Sequence, residues 1–332
     1  MALLRTLMDR VTRRVAGASA VHLPLDWFAY CGIRLVDMVF QCFPINVNLR
    51  TARWMGSIWY RIMPRHRERA IEHLRLAYGP RMSQRQRERV ALASMQHVTM
   101  MAVEMLFTPR LINEWTWPRY IRLGENMRPG LEALLSRRGA IVLTGHYGNW
   151  ELLGFAMTAL GFPMVAVMRP LDNPYLNDHV MGVRSRRGLQ LLYKKGATQS
   201  AGDVLAAGGT LAFIADQNAG HKGQFVEFFG RKASTYKSIA LLAIEYQVPI
   251  LVAYARRVSD GYEYEIGCNR IIRPEEWTGR DDEVHWITQE YTRAIEEFVR
   301  QAPEQYLWIH RRWKSRPKEE QRPLFDSPKA GT

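Results

Sequence analysis

The sequence predicts an α/β fold in which helices cover the faces of a central sheet. From residue 138 onward, short apolar runs typical of buried strands alternate with stretches of helical pattern. Such alternation indicates a sheet with helices packed on it. Hydrophobic residues make up 47% of the 332 residues, which is enough for a sizeable core and argues against global disorder.

Each element is predicted from its local pattern. The predicted strands are the apolar runs 140–143, 163–168, 189–193, 210–215, 249–255 and 262–267. The predicted helices are 49–75, 83–107, 130–136, 176–187, 200–207, 234–246 and 281–301. We expect three regions, namely 1–45, a single domain at 46–316, and a polar, charged and flexible tail at 317–332.

Residues 1–45 are predicted to form helices that associate with a membrane. Residues 1–16 read as a basic amphipathic helix of the kind that lies in a membrane interface, although a helix packed on the domain fits equally well. Residues 27–43, with Asp26 as the expected N-cap, are nearly long enough to span a bilayer. Arg34 and Asp37 interrupt them and can pair on one helical face. We therefore interpret 27–43 as an interfacial or half-buried helix, with a true span as the alternative.

The charge balance favours an anionic partner. The chain carries a net charge of +14 with a pI near 9.9, which fits nucleic acid, an anionic lipid surface or an acidic carrier protein. No nucleic-acid-binding motif is present, whereas the abundant Trp and Tyr are typical of membrane interfaces. The cysteines Cys31, Cys42 and Cys268 lack CxxC or metal-ligand spacing, which favours a reducing compartment.

The segment Gly139–Gly154 reads as a strand, a tight turn and the start of a helix. His146 lies in the turn, Asn149 is a plausible N-cap, and Glu151 lies in the first helical turn. Across such a turn a Glu151 carboxylate can touch one imidazole nitrogen of His146 and leave the other free as a base. The alternative is a core histidine beside a glutamate that complements the helix dipole.

Other candidates follow the predicted strands. Arg169 follows 163–168, where a guanidinium can hold a phosphate or form a surface ion pair, and Asn173 lies in the same segment. Asp216 and Gln217 follow 210–215 and can shape the floor of a pocket or support loops. Glu227 lies among apolar residues and has either a perturbed pKa or an outward orientation.

The segment 308–314 interleaves aromatic and cationic side chains. Its candidates for contact with a membrane, nucleic acid or a phosphorylated sugar are His310, Arg311 and Arg312. The alternative is a helix end at which the cations complement the dipole.

Motifs for other chemistries are missing from the sequence. It has no Walker A, HExxH or GxSxG motif, so neither a P-loop, a zinc site nor a serine elbow is indicated. A histidine–carboxylate pair without its own nucleophile suits a reaction in which a substrate hydroxyl attacks an activated acyl group.

Five motifs in this order resemble the lauroyl/myristoyl acyltransferase family of lipid A biosynthesis. They are GHYGNWELLG (145–154), RPLDNP (169–174), ADQNAG (215–220), VEFFGRKAS (226–234) and WIHRRWKSRP (308–317), and the likeness extends over about residues 25 to 317. The resemblance implies a glycerolipid-acyltransferase-like domain, with a central mixed sheet, on the cytoplasmic face of a bacterial inner membrane. It implies His146 as general base, Glu151 as its partner, and Arg169 at the rim that faces the acceptor or the carrier.

The same resemblance implies the reaction. A fatty acyl chain moves from a thioester of acyl carrier protein or coenzyme A to a hydroxyl of a lipid A precursor-like glycolipid, without a metal or redox cofactor. An acyltransferase for a phospholipid or aminolipid remains an alternative. A non-catalytic lipid-binding protein is a second alternative, but pure binding does not need a base in the turn. A nucleic-acid-binding protein is a third, supported by charge alone.

Overall fold

The computed structural model describes residues 24–168, 171–186, 189–193 and 197–317. The helices are α1 (Pro24–Gln41), α2 (Ile45–Ile62), α3 (Pro64–Tyr78), α4 (Gln84–Leu111), α5 (Arg128–Leu135), α6 (Trp150–Ala159), α7 (Pro174–Arg186), α8 (Ala197–Ala206), α9 (Ser238–Tyr246), α10 (Pro274–Trp277) and α11 (Glu283–Gln301). The strands are β1 (Ile121–Leu123), β2 (Ala140–Thr144), β3 (Met164–Met168), β4 (Leu189–Tyr193), β5 (Thr210–Ile214), β6 (Gln224–Phe228), β7 (Arg231–Thr235), β8 (Ile250–Arg257) and β9 (Tyr264–Ile272). The helix predicted at 1–16 and the tail beyond 317 lie outside the described residues.

The main sheet is mixed, as predicted, with the strand order β1-β9-β8-β2-β5-β3-β4. Strands β8, β2, β5, β3 and β4 run parallel to one another, and β9 pairs antiparallel with β8. Strand β2 lies near the centre, between β8 and β5. Parallel sheets of this kind place functional groups at the carboxyl ends of their strands, so the segments that follow β2 and β5 meet at one edge.

Both faces of the sheet are covered. Successive side chains of a strand point to opposite sides, so each strand contributes to the apolar packing on both faces. In β2, Ile141 and Leu143 belong to the apolar cluster that contains α9 and α11. Ala140 and Val142 belong to the cluster that contains α4, α5 and α6. The central strand is buried on both faces, which explains its continuous apolar sequence.

Several boundaries differ from the prediction. The helix expected at 49–75 is two helices, because Pro64 disfavours helical conformation at Met63, where φ is −118° and ψ is 72°. The helix expected at 234–246 begins at Ser238, because the residues before it form β7 of a hairpin with β6. Helix α1 begins at Pro24, so the expectation that Asp26 is its N-cap is wrong; Asp26 lies in the first turn.

Helix α1 has no buried residue, and both α1 and α2 carry exposed apolar side chains. They include Leu25, Phe28, Leu35, Val36, Met38, Trp54 and Ile62, each more than half exposed. Arg34 lies 3.9 Å from Asp37, which confirms that these two side chains share one helical face. Within the described chain, the helix that satisfies length and hydropathy criteria for a membrane span is α4, but half of its apolar window is buried in the protein.

Candidate active site

His146 lies two residues beyond β2 and contacts a carboxylate from the neighbouring strand. Its ring atom Nδ1 is 2.7 Å from Oδ1 of Asp216, and its backbone N–H donates to Oδ2 of the same side chain at 2.8 Å. Asp216 lies two residues beyond β5, whose end Ile214 is in register with the end of β2, Thr144. The parallel register therefore brings together two residues that are 70 positions apart in sequence.

The Asp216 carboxylate is held in its charged form. Burial alone would raise its pKa, but the charge of His146 and the hydrogen bonds from its ring and backbone outweigh burial and lower the pKa to about 2. A charged carboxylate at Nδ1 fixes the proton on that nitrogen and leaves Nε2 with its lone pair.

Glu151 is not the carboxylate at the imidazole, in contrast to the predicted pair. It lies in the first turn of α6, and its Oε2 accepts a hydrogen bond from Arg184 of α7 at 2.6 Å. The two side chains are only 18% and 11% exposed, so this ion pair is largely shielded from solvent. The imidazole is approached by Asp216 from β5 instead, because the turn directs His146 towards that strand rather than along α6.

Gln217 lies at the free nitrogen, and the ring of His310 stacks against that of His146. Nε2 of Gln217 lies 3.1 Å from Nε2 of His146, and the amide donates to the imidazole lone pair when the ring carries its proton on Nδ1. The ring of His310 lies parallel to that of His146, with centroids 6.0 Å apart and planes at 8°. Burial lowers the pKa of His310; nearby Asp216 opposes this effect and His146 reinforces it.

Arg312 is fully enclosed, contrary to its expected place in a surface patch. Its guanidinium donates to the Ser234 carbonyl at 2.7 Å, to Oγ1 of Thr235 at 2.6 Å and to the Gln217 carbonyl at 3.5 Å. Burial lowers its pKa from that of an exposed arginine. Arg312 thus connects the β7 edge to the loop that carries Gln217, whereas Arg311 is exposed.

Two other predicted residues, Asn173 and Glu227, have partners other than the imidazole. Asn173 caps α7, since its Oδ1 accepts from the Leu176 N–H at 3.0 Å and its Nδ2 donates to the Asp26 carbonyl at 2.7 Å. The side chain of Glu227 is 61% exposed on β6 and lies 3.9 Å from Lys232, which matches the outward orientation. Arg169 lies outside the described residues.

An apolar cleft opens beside the histidine. It is lined by β2, β3, β5 and α6, including Val142, Leu153 and Met164, and has an empty volume of about 610 Å3 that includes space open to solvent. The Glu151–Arg184 ion pair contributes its polar wall. Trp150 also lines the cleft, and the edge of its ring contacts His146 with centroids 4.8 Å apart. The site therefore combines the imidazole of His146 with an adjoining apolar space.

Sequence reasoning missed two features of this site. Arg184 lies in a helix that was predicted from the sequence. Its positive charge beside apolar residues was the only sign that it has a buried partner. Asp216 was expected either to shape the floor of a pocket or to support loops, but the sequence did not indicate that it faces His146. Among the described residues, no group of three or more His, Cys, Asp or Glu side chains is arranged to hold a metal ion.

Comparison with known proteins identifies the family. The family model for bacterial lipid A biosynthesis acyltransferases matches residues 16–315. The chain is 26% identical over 306 residues to the lipid A biosynthesis lauroyltransferase of Escherichia coli K12, which covers 90% of this chain and 95% of that protein. It is 27% identical to the palmitoleoyltransferase of the same organism, covering 89% of this chain and 93% of the relative. A lipid A biosynthesis acyltransferase of Haemophilus influenzae is 26% identical, covering 91% and 95%.

The family match spans most of the chain and includes both strands whose ends carry His146 and Asp216. The resemblance inferred from the five motifs is thereby confirmed. The chain is an acyltransferase and belongs to the bacterial lipid A biosynthesis acyltransferase family.

Proposed function

We propose that this acyltransferase moves a fatty acyl chain from an acyl thioester to a hydroxyl of a lipid A precursor-like glycolipid. The observation that carries the proposal is the contact of His146 with Asp216 beside an apolar cleft, in a chain of this family. The relatives named for lauroyl and palmitoleoyl transfer support a fatty acyl donor and a lipid A acceptor.

In the proposed reaction, His146 is the general base. Its Nε2 takes the proton of the acceptor hydroxyl, and the oxygen attacks the thioester carbonyl to form a tetrahedral intermediate. When the intermediate collapses, the carbon–sulfur bond breaks and the protonated imidazole returns its proton to the leaving thiolate. Asp216 keeps the ring in the required tautomer and stabilises the imidazolium form.

Gln217 occupies the place that the acceptor hydroxyl needs. Because its amide donates to Nε2 at 3.1 Å, it must move aside when the hydroxyl binds. An amide released within reach of the reacting carbon can donate to the developing oxyanion. We therefore assign Gln217 to the acceptor side of the site and the apolar cleft to the acyl chain.

We further propose that the exposed apolar surface of α1 and α2 rests on the cytoplasmic face of the bacterial inner membrane. The exposed apolar side chains of the two helices, with Arg50, Arg53 and Arg61 on α2, suit contact with anionic lipid. Flotation with vesicles of anionic phospholipid tests this placement. We expect Leu35→Asp together with Val36→Asp to reduce binding, and unchanged flotation would contradict the assignment.

The transfer reaction is tested with purified enzyme and a panel of acceptors. Acyl thioesters of carrier protein and of coenzyme A are supplied in parallel, with a lipid A precursor, a phospholipid and an aminolipid as acceptors. We expect the glycolipid to gain one acyl chain by mass spectrometry, and His146→Ala to abolish the gain. His285→Ala is the matched control, because this histidine is far from the catalytic turn. Ile295 of α11 lies beside the turn, and His285 lies ten residues earlier in the same helix, which is a distance of about 15 Å along the helix axis. Wild-type turnover by His146→Ala would overturn the mechanism, and transfer to another lipid alone would overturn the acceptor.

A further inference from the structure

A second buried carboxylate, from helix α4, contacts the turn that carries His146. Glu104 of α4 is fully buried, and its Oε2 accepts a hydrogen bond from Nδ2 of Asn149 at 2.8 Å. It also accepts hydrogen bonds from Arg257 of β8 and Tyr264 of β9. One carboxylate therefore joins a helix, two strands and the turn, although it does not touch the imidazole.

The same helix contacts the turn at one further point and the segment beside the turn at another. Nε2 of His97 donates to the Gly148 carbonyl at 3.0 Å, and burial lowers the pKa of His97 to about 3, so the ring is neutral. Oγ of Ser94 donates to the Tyr306 carbonyl at 2.5 Å, and the next residue, Leu307, donates its N–H to the His146 carbonyl at 3.0 Å. Three polar side chains at i, i+3 and i+10 of α4 thus face the turn and its neighbouring segment.

The turn itself has little room to move. Gly148 has a φ of +56°, and a Cβ at this position would lie 1.9 Å from the Ala255 carbonyl oxygen. The N–H of Asn149 donates to that carbonyl at 2.9 Å, and the N–H of Gly148 donates to the Gln305 carbonyl at 3.0 Å. Asn149 also caps α6, since its Oδ1 accepts from the Leu152 N–H at 2.9 Å.

We infer that Glu104, acting through Asn149, is a positioning residue that fixes the turn so that Nε2 of His146 faces the acceptor. The inference rests on the proposed role of His146 as base. Asn149 uses one end of its amide to start α6 and the other to bind Glu104. Its side-chain direction is therefore determined at both ends, and the turn that precedes it is held against β8.

This geometry matters because small displacements of a base are costly for catalysis. A reacting group that moves by about 1 Å can lose about 10²-fold in rate. Buried ion pairs, by contrast, often contribute little net stability compared with apolar side chains of similar volume. The Glu104–Arg257 pair is accordingly explained better by placement of the turn than by folding stability.

The first test separates the cap from the anchor. Asn149→Ser retains an oxygen that can cap α6 but removes the donor to Glu104. We expect kcat to fall 10- to 100-fold while KM for the acyl donor stays within about twofold. Glu104→Gln should produce the same pattern. The matched control is Ile272→Ala, a fully buried core residue at the opposite end of the sheet, paired with Ile250.

The second test guards against simple unfolding. Glu104→Met combined with Arg257→Met replaces both charges by apolar groups, so the fold is retained while the anchor is lost. We expect a thermal midpoint near that of wild type and the same 10- to 100-fold loss in kcat. Wild-type kcat in this double variant, or an equal loss of kcat in Ile272→Ala, would overturn the inference.

A spectroscopic measurement does not depend on the reaction. In the ¹⁵N-labelled full chain, the Nδ1 proton of His146 bonded to Asp216 should give a slowly exchanging imidazole resonance, identified by its loss in Asp216→Asn. We expect Asn149→Ser and Glu104→Gln to shift or broaden this resonance, and Ile272→Ala to leave it unchanged. If the resonance were unaltered in both Asn149→Ser and Glu104→Gln, the positioning role would be refuted, whether or not the proposed acceptor is correct. A shifted resonance without any glycolipid transfer would instead refute the proposed function alone.

Discussion

Replacement of Asp216 by asparagine should remove the base without removing the turn. The amide retains the shape of the carboxylate and can still accept the His146 N–H through its oxygen. Its NH2 group then faces Nδ1, 2.7 Å away in the wild type, and can only donate to it. The ring must therefore carry its proton on Nε2, so the nitrogen that we propose faces the acceptor loses its lone pair.

The expected loss follows from the contribution of general base catalysis. Such catalysis contributes about 10²- to 10⁴-fold, so kcat should fall within that range. This corresponds to roughly 3 to 5 kcal/mol of transition-state stabilisation. KM for the acyl donor should change little, because the apolar cleft is lined without Asp216. The assay is release of the thiol from the acyl thioester, measured across pH 5–9.

Glu151→Gln is the discriminating comparison. Its carboxylate contacts Arg184 rather than the imidazole, so the variant should weaken the cleft wall and donor binding while the shape of the pH–rate profile stays that of wild type. If Glu151→Gln distorts the profile and Asp216→Asn leaves kcat within threefold of wild type, Glu151 and not Asp216 orients the base, and the reasoning fails.

Three further predictions concern stability. Because the pKa of Asp216 is about 2 in the folded protein, below its ordinary 3.8, the stability it contributes is present above that ordinary value and is lost as pH falls towards 2. We expect a loss of about 2 kcal/mol between pH 5 and pH 2 by urea unfolding that is missing from Asp216→Asn; equal losses in both proteins would contradict this. Gly148→Ala adds a clash with the Ala255 carbonyl to the strain of a positive φ, so it should lower the stability measured by calorimetry by about 2–4 kcal/mol. Gly161→Ala has open space around the added methyl group and should cost about 1 kcal/mol. Similar melting midpoints for the two variants would show that β8 shifts to accommodate the methyl group. Arg312→Met should cost at least about 2 kcal/mol because it removes the buried hydrogen bonds of the guanidinium to the Ser234 carbonyl and the Thr235 hydroxyl, whereas the exposed Arg311→Ala should stay within about 0.5 kcal/mol; equal effects would place Arg312 outside the core.

The central strand and the turn could be predicted because their signals are local. The apolar run before Gly145 indicated a strand, and Asn149 before an apolar stretch indicated an N-cap, which its hydrogen bond to Leu152 confirms. Hairpin β6–β7 was missed because its alternation is weak and helical residues follow directly.

The partner of His146 could not be predicted because it depends on strand order. β2 pairs with β5, and the two strands that follow β2 in sequence lie farther out, beyond β5. Only this order brings Asp216 next to His146, and no local pattern encodes it. The enclosed state of Arg312 has the same origin, since a cation-rich segment reads as a surface patch until the fold brings β7 against it.

The position of Glu151 explains why a fixed spacing to His146 need not mean contact with it. Helix α6 begins at Trp150, so Glu151 and Gly154 are three residues apart and share a helical face. Both line the apolar cleft, and Arg184 covers the Glu151 carboxylate there. The turn directs His146 towards β5 while the helix directs Glu151 towards the cleft. The spacing therefore couples two separate features, an imidazole held by Asp216, which we propose as the base, and a polar wall at the cleft, so that a change in the length of the turn would disturb both at once.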